Sequence, residues 1–204
     1  MTIKAIIFDI GGVLLRTLDW SKRYEWERKL NLPHNSLEAL VHGTTLNTEF
    51  ERGELAFEAF WQEVGRRLGV PADQVTPFRE DFYAGDTLNL ELLTQIRQWR
   101  KAGFKIGIIS NAPPSLRMTL QHRLHIVDDF DHIVISAEVG VRKPHVRIYE
   151  MALEGLDVTA KEAVFVDDLT ENIDGARAAG LHGVHFTDTA PAVAAIEALL
   201  TTIS

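Results

Sequence analysis

Short apolar runs, each closed by a polar or glycine-rich turn, constrain this chain more than any other feature. They are Ile3–Phe8, Phe104–Ser110, Ile133–Ser136, Ala163–Asp167 and the weaker Gly183–Phe186. Rich in Ile, Val and Phe and without clean alternation, they predict strands buried on both faces. Between the later runs, Leu90, Leu93, Ile96 and Trp99 recur at helical spacing, with Gly103 as a stop. Pro114–Leu124, Pro144–Leu153, Asn172–Ala179 and Ala190–Leu200 are the other predicted helices, two of them opening on proline. Strands alternating with helices predict an α/β fold with a doubly wound parallel sheet of about five strands.

The stretch from Leu18 to Asp86 breaks the alternation. It holds no convincing buried strand but several helical patterns, the clearest being Phe57, Phe60, Trp61, Val64 and Leu68, closed by Gly69 and Pro71. Those aromatic residues read as core of the insertion rather than a substrate platform. A helical insertion after the first strand sits over the carboxyl ends of the strands, where open α/β folds bind ligands. The expected division is a core of residues 1–17 and 87–204 with a helical cap of residues 18–86. Arg16, Trp20 and Arg23 leave the first strand toward this cap, where they could face substrate.

The chain has 204 residues, with 29 acidic against 21 basic side chains and a net charge of -8. That balance repels polyanions, so neither nucleic acid nor an anionic membrane surface is an expected partner. A small anionic substrate remains compatible, because a metal ion and one local cation reverse the field within a pocket. The absence of cysteine excludes disulfides and thiolate metal sites and fits a reducing cytosol. The first apolar run is too short for a signal peptide, which needs about 7–15 apolar residues. A cytoplasmic monomer or small homo-oligomer is therefore expected.

Four polar clusters fall where predicted strands end. Phe8-Asp9-Ile10-Gly11-Gly12-Val13 places a carboxylate beside closely approaching backbone. Ile108-Ile109-Ser110-Asn111 offers a hydroxyl and an amide. Val141-Arg142-Lys143-Pro144 offers a point charge suited to a phosphate. Phe165-Val166-Asp167-Asp168, followed by Asn172, closes a strand with two adjacent carboxylates, which repel unless a cation sits nearby. Oxygen ligands alone, with no histidine pair at zinc spacing, point to Mg²⁺. Taken singly, the first three clusters also read as a turn, a cap or solvated surface.

Together and in this order, with Lys-Pro-x-x-x-Ile-Tyr and Asn-Ile-x-Gly-Ala-Arg flanks, they resemble the haloacid dehalogenase superfamily over essentially the whole chain. The resemblance implies a Rossmann-like core with a helical cap, and a phosphatase using Mg²⁺ on a small phosphorylated substrate. It assigns Asp9 as the nucleophile that becomes an aspartyl phosphate. Ser110, with backbone at Asn111, is implied to bind phosphoryl oxygens, and Lys143 to neutralise nucleophile and phosphate. Asp9, the Gly11 carbonyl and Asp168 are implied to hold the metal directly, and Asp167 through water.

One position departs from that pattern. Phosphatases of the superfamily usually carry an acid two residues after the nucleophile, and here Gly11 stands there. General acid–base help is worth about 10²–10⁴ in rate, so its absence should be felt. Bacterial phosphatases acting on glucose 1-phosphate look similar in having glycine at this place. The leading expectation is a phosphatase whose leaving group needs little protonation. The alternatives are a catalytically impaired module that binds a phosphorylated ligand or protein, and a 2-haloacid dehalogenase. The last fits poorly, because Asp167 and Asp168 would lack a compensating cation.

Overall fold

The computed structural model describes residues 2–202. In chain order the elements are β1 (Ala5–Phe8), β2 (Leu15–Thr17), α1 (Ser21–Lys29), α2 (Leu37–His42), α3 (Thr45–Glu51), α4 (Phe57–Leu68), α5 (Val75–Tyr83) and β3 (Asp86–Leu88). There follow α6 (Leu90–Lys101), β4 (Lys105–Ser110), α7 (Ser115–Met118), β5 (His132–Ile135), α8 (Ser136–Val139), α9 (Val146–Leu156), β6 (Ala163–Asp167), α10 (Thr170–Ala178), β7 (His182–His185) and α11 (Thr189–Thr202). Among these residues no helix is long and apolar enough to cross a membrane.

The five apolar runs form one parallel sheet in the order β5-β4-β1-β6-β7. Both faces are covered, which explains the unbroken hydrophobic runs. Ile6, Phe8, Ile106, Ile108, Val164 and Val166 pack on one side with residues of α6 and α11, among them Trp99 and Ile196. Ala5, Ile7, Ile109, Val134 and Phe165 pack on the other with Ile148, Tyr149, Ala152 and Ile173 of α9 and α10. Each large apolar side chain so buried contributes roughly 1.5–3 kcal/mol. The chain builds outward from β1 through β4 to β5, then crosses back to lay β6 on the opposite side of β1. This reversal opens a crevice beyond the carboxyl ends of β1 and β6, where Asp9, Asp167 and Asp168 stand.

Helices α1–α5 form the cap inserted after the first strand, with their own core of Trp26, Phe50, Phe60, Trp61, Val64, Phe78 and Phe82. Gly69 ends α4 in the left-handed conformation. The chain enters and leaves this cap through a ribbon the sequence did not reveal, β2 paired antiparallel with β3, Leu15 opposite Leu88 and Thr17 opposite Asp86. Its three-residue strands are only half-buried and carry no apolar run.

Arg23 turns inward and is engaged by the protein itself. Its guanidinium is buried at the ribbon, donating to the Phe82 carbonyl at 2.8 Å and to Thr17 Oγ1 at 3.0 Å, with Asp86 and Glu38 as ionic partners. A buried cation needs such partners, and here they join cap to ribbon. Arg16 turns to Asp188 at 2.8 Å.

Two helix boundaries also differ from expectation. The predicted helix over 114–124 is a single α turn followed by a π turn at Thr119–Arg123. The helix expected from Pro144 begins at Val146, with the His145 ring accepting from the Arg147 amide at 3.2 Å. Lys143, before the proline, is held by hydrogen bonds on both its backbone groups, and the residue preceding a proline disfavours helical geometry.

Candidate active site

Three of the four strand-end clusters meet through their charged side chains. Asp9 follows β1, and its amide continues the ladder to the Val166 carbonyl at 2.9 Å, so the sheet fixes its backbone. One of its oxygens accepts from the Ile10 amide at 2.7 Å. The Lys143 ammonium lies 2.9 Å from Asp9 Oδ1 and 2.6 Å from Asp167 Oδ2, with only 1% of its side chain exposed. The second cluster borders this centre: Ser110 is buried at the end of β4, the strand paired with β1.

The Asn111 side chain does something the sequence did not suggest. Its Oδ1 accepts from the Lys143 amide at 2.8 Å, and its Nδ2 donates to the Lys143 carbonyl at 3.1 Å. A two-point amide pair of this kind fixes both position and orientation of the lysine backbone.

Asp167 is fully buried and heavily engaged. Besides Lys143, it accepts from the Leu169 amide at 2.8 Å and from Asn172 Nδ2 at 3.0 and 3.1 Å. Tyr149 donates to the Asn172 carbonyl at 2.7 Å, anchoring that segment from α9. Asp167 therefore anchors Lys143, a task its place in an acidic pair did not reveal. Asn172 and Tyr149 lie within the flanks that carried the resemblance, but their anchoring contacts depend on the packing of α9 against α10.

Asp168 is half-buried and its side chain rests on Gly12. A Cβ on Gly12, whose φ is +73°, would fall 2.2 Å from Asp168 Oδ2, so the carboxylate occupies space only glycine leaves. At Gly11, by contrast, a Cβ would meet nothing within 4 Å. The place of the missing acid is open.

Oxygens from Asp9, Asp167 and Asp168 all lie within 4.8 Å of one another. Among the described residues, Lys143 is the one cation in an ion pair with them. Burial lifts the Asp9 carboxyl to about 7, with Asp167 adding to the rise and Lys143 opposing it. Asp168 is also raised, first by burial and then by Asp167. Burial works against the Lys143 charge, yet Asp9 and Asp167 outweigh it and hold the ammonium above its usual range. Three carboxylates sharing one ammonium are electrostatically underpaired. An all-oxygen donor set short of positive charge fits a hard divalent cation.

The raised carboxyls yield a prediction. A divalent cation held by these carboxylates would have to displace the proton that Asp9 retains below about pH 7, so magnesium affinity should fall about tenfold per pH unit below that point. Calorimetry in buffers of different ionisation enthalpy should show proton release at pH 6.5, fading above about pH 8. Equal affinity at pH 6 and 8 would refute it.

Comparison with known proteins agrees with this arrangement. The family described as haloacid dehalogenase-like hydrolase matches residues 3–180. A sesquiterpene phosphatase from Aspergillus oryzae is 31% identical over 192 residues, 92% of each chain. Among solved structures, one described as a predicted HAD-like family hydrolase from Porphyromonas gingivalis superposes with a TM-score of 0.76 at 21% identity, covering 98% of this chain and 99% of that one. A HAD family enzyme from Bacteroides thetaiotaomicron in complex with magnesium and inorganic phosphate superposes at 0.71 and 20% identity, covering 92% and 96%. Matched by that family over residues 3–180, this chain belongs to the haloacid dehalogenase-like hydrolases.

Proposed function

We propose that the protein is a magnesium-dependent phosphatase for a small phosphorylated metabolite, acting through an aspartyl phosphate on Asp9. The observation that carries this reading is the underpaired cluster of Asp9, Asp167 and Asp168 around the buried Lys143 ammonium. Asp9, Asp168 and the Gly11 carbonyl would hold Mg²⁺, with Asp167 behind them. When bound, the ion supplies positive charge that offsets repulsion between the carboxylate and a dianionic phosphate.

In the first step an Asp9 oxygen bonds to phosphorus while the bond to the leaving oxygen breaks, and that oxygen departs with the bonding pair. In the second, water attacks the phosphorus of the acyl phosphate and restores the Asp9 carboxylate. Lys143 is the protein cation placed to stabilise charge on the transferring group. Asn111 fixes its backbone, Asp167 orients its ammonium, and Ser110 borders the phosphoryl pocket.

With Gly11 offering no proton, the preferred leaving groups are those stable as anions or nearly so: aryl, acyl and anomeric phosphates ahead of simple alkyl phosphates. Sugar 1-phosphates thus head the candidate panel, joined by a phosphorylated sesquiterpene after the Aspergillus oryzae relative. The test is hydrolysis of p-nitrophenyl phosphate with Mg²⁺ and its loss in chelator. Equal rates across a leaving-group series would remove the account of Gly11.

The open space at Gly11 permits a sharper experiment. Gly11→Asp should raise turnover of alkyl phosphates about 10²-fold while changing aryl phosphates little, because general acid help matters only for poor leaving groups. A uniform effect on both classes would contradict it. A wild-type protein that binds phosphate without hydrolysing any ester would instead support a phospho-ligand-binding module.

A further inference from the structure

Lys143 and Asn111 belong to a closed ring of contacts that a single cap residue completes. From the Lys143 backbone the ring passes to the Asn111 side chain, at 2.8 and 3.1 Å, and along the chain to Ala112. The Ala112 amide donates to Ser136 Oγ at 3.0 Å, and the same hydroxyl donates to the Glu51 carbonyl at the end of α3. The Glu51 carboxylate lies 2.6 Å from Arg142 Nη2, and Arg142 precedes Lys143 in the chain. Every other member of the ring lies at the carboxyl edge of the sheet, in the loops or, for Ser136, at the first position of α8. Only Glu51 comes from the cap.

The contact is built tightly. The Glu51 side chain is 13% exposed, and its other oxygen accepts from Asn47 Nδ2 at 2.9 Å, so its rotamer is held from within the cap. Two residues on, Gly53 packs so close to α8 that a Cβ there would fall 2.5 Å from the Ala137 carbonyl. The end of α3 is thus seated on the core by a hydrogen bond, an ion pair and direct backbone packing.

We propose that Glu51 is a positioning residue: through Arg142 and Ser136 it clamps the loops that carry Lys143 and Asn111, so that a seated cap sets the place of the phosphate-facing ammonium. Among the described residues Glu51 has no hydrogen bond or ion pair with Asp9, Asp167 or Asp168, and its effect runs through Lys143. The turnover part of this inference rests on the phosphatase reading. The binding part does not.

The experiment compares wild type with Glu51→Ala, Glu51→Gln, Arg142→Ala and the Glu51→Ala/Arg142→Ala double variant. Affinity for inorganic phosphate in saturating Mg²⁺ and affinity for Mg²⁺ alone are measured by calorimetry, alongside kcat and KM for p-nitrophenyl phosphate. Glu63→Gln, which removes a surface charge elsewhere on the cap, serves as the control. Phosphate affinity is expected to fall about tenfold and kcat about 10- to 100-fold in either alanine variant, the scale of a reacting group misplaced by about 1 Å. The double variant should lose no more than either single one, and Mg²⁺ affinity should not weaken.

Phosphate affinity and kcat within twofold of wild type in both single variants would overturn the proposal. So would losses that multiply in the double variant, or an equal weakening of Mg²⁺, which marks general loosening. If Glu51→Ala does not fold, Glu51→Gln and Arg142→Ala decide by the same criteria. A wild-type protein without turnover would sink the phosphatase reading alone, and the phosphate measurements would still decide the role of Glu51.

Discussion

Asp9→Asn is expected to lower hydrolysis of p-nitrophenyl phosphate by at least about 10⁴-fold, because it replaces the proposed nucleophilic carboxylate with a neutral, weakly nucleophilic amide. The change is nearly isosteric, and the Asp9 backbone is held by the β6 ladder rather than by its carboxylate. Lys143 keeps its 2.6 Å contact with Asp167. The variant should therefore fold, and stability supplies a second readout. The Asp9 carboxyl is raised from 3.8 to about 7 in the folded protein, so between those values the folded state binds a proton that the unfolded chain has released. Stability of the metal-free wild type then falls as pH rises through that window. The Asp9→Asn variant escapes this penalty, which leaves it at least as stable as wild type above about pH 7, with the advantage vanishing below about pH 4. Urea denaturation of the metal-free proteins at pH 4 and 8 checks the sign. Retained turnover with an intact fold would eliminate the aspartyl-phosphate mechanism.

Lys143→Met should be the most destabilising single change at the site. It leaves Asp9 and Asp167 facing each other in a buried space without their shared ammonium. Removing one member of a buried charge network costs about 3–5 kcal/mol, chiefly through the charges left uncompensated. The direction with pH follows from the same cause. Lys143 holds the Asp9 carboxyl down, so without it Asp9 keeps its proton to higher pH than in the wild type. The loss is fullest only where both carboxylates are charged, above about pH 7. As pH falls, protonation of Asp9 relieves it, so the gap between variant and wild type should narrow. Added Mg²⁺ should also narrow it, by supplying the missing positive charge to the carboxylates that would hold it. A gap indifferent to both pH and Mg²⁺ would mean that Lys143 acts by packing alone, through its stem and its position 5.3 Å over the Phe165 ring.

The legible part of this protein lies along its strands. Ile3–Phe8 and Ala163–Asp167 could be read because both faces of β1 and β6 are buried, and a strand without a solvent side must be apolar throughout. The polar residue that ends such a run marks the sheet edge, which is why Asp9, Ser110, Asp167 and Asp168 could be placed before any coordinates. Lys143 became legible only together with the others, since a lysine before a proline is usually solvated. The β2–β3 ribbon escaped because its strands are held by pairing with each other rather than by an apolar pattern. Arg23 escaped for a related reason: no local feature distinguishes a guanidinium buried in a joint from one that faces substrate.

Chain-local chemistry thus determined the sheet, the helical character of the insertion and which polar groups stand at the strand ends, because strand burial, helix periodicity and residue type are written in consecutive positions. Contacts across long separations decided the rest. Asn111 grips Lys143 across 32 residues, and Ser136 reaches Glu51 across 85. Such pairings depend on which loops the strand order brings to one edge and how closely the cap is seated there. Directional hydrogen bonds act over about 3 Å, so their partners are defined only once the packed fold has set those distances.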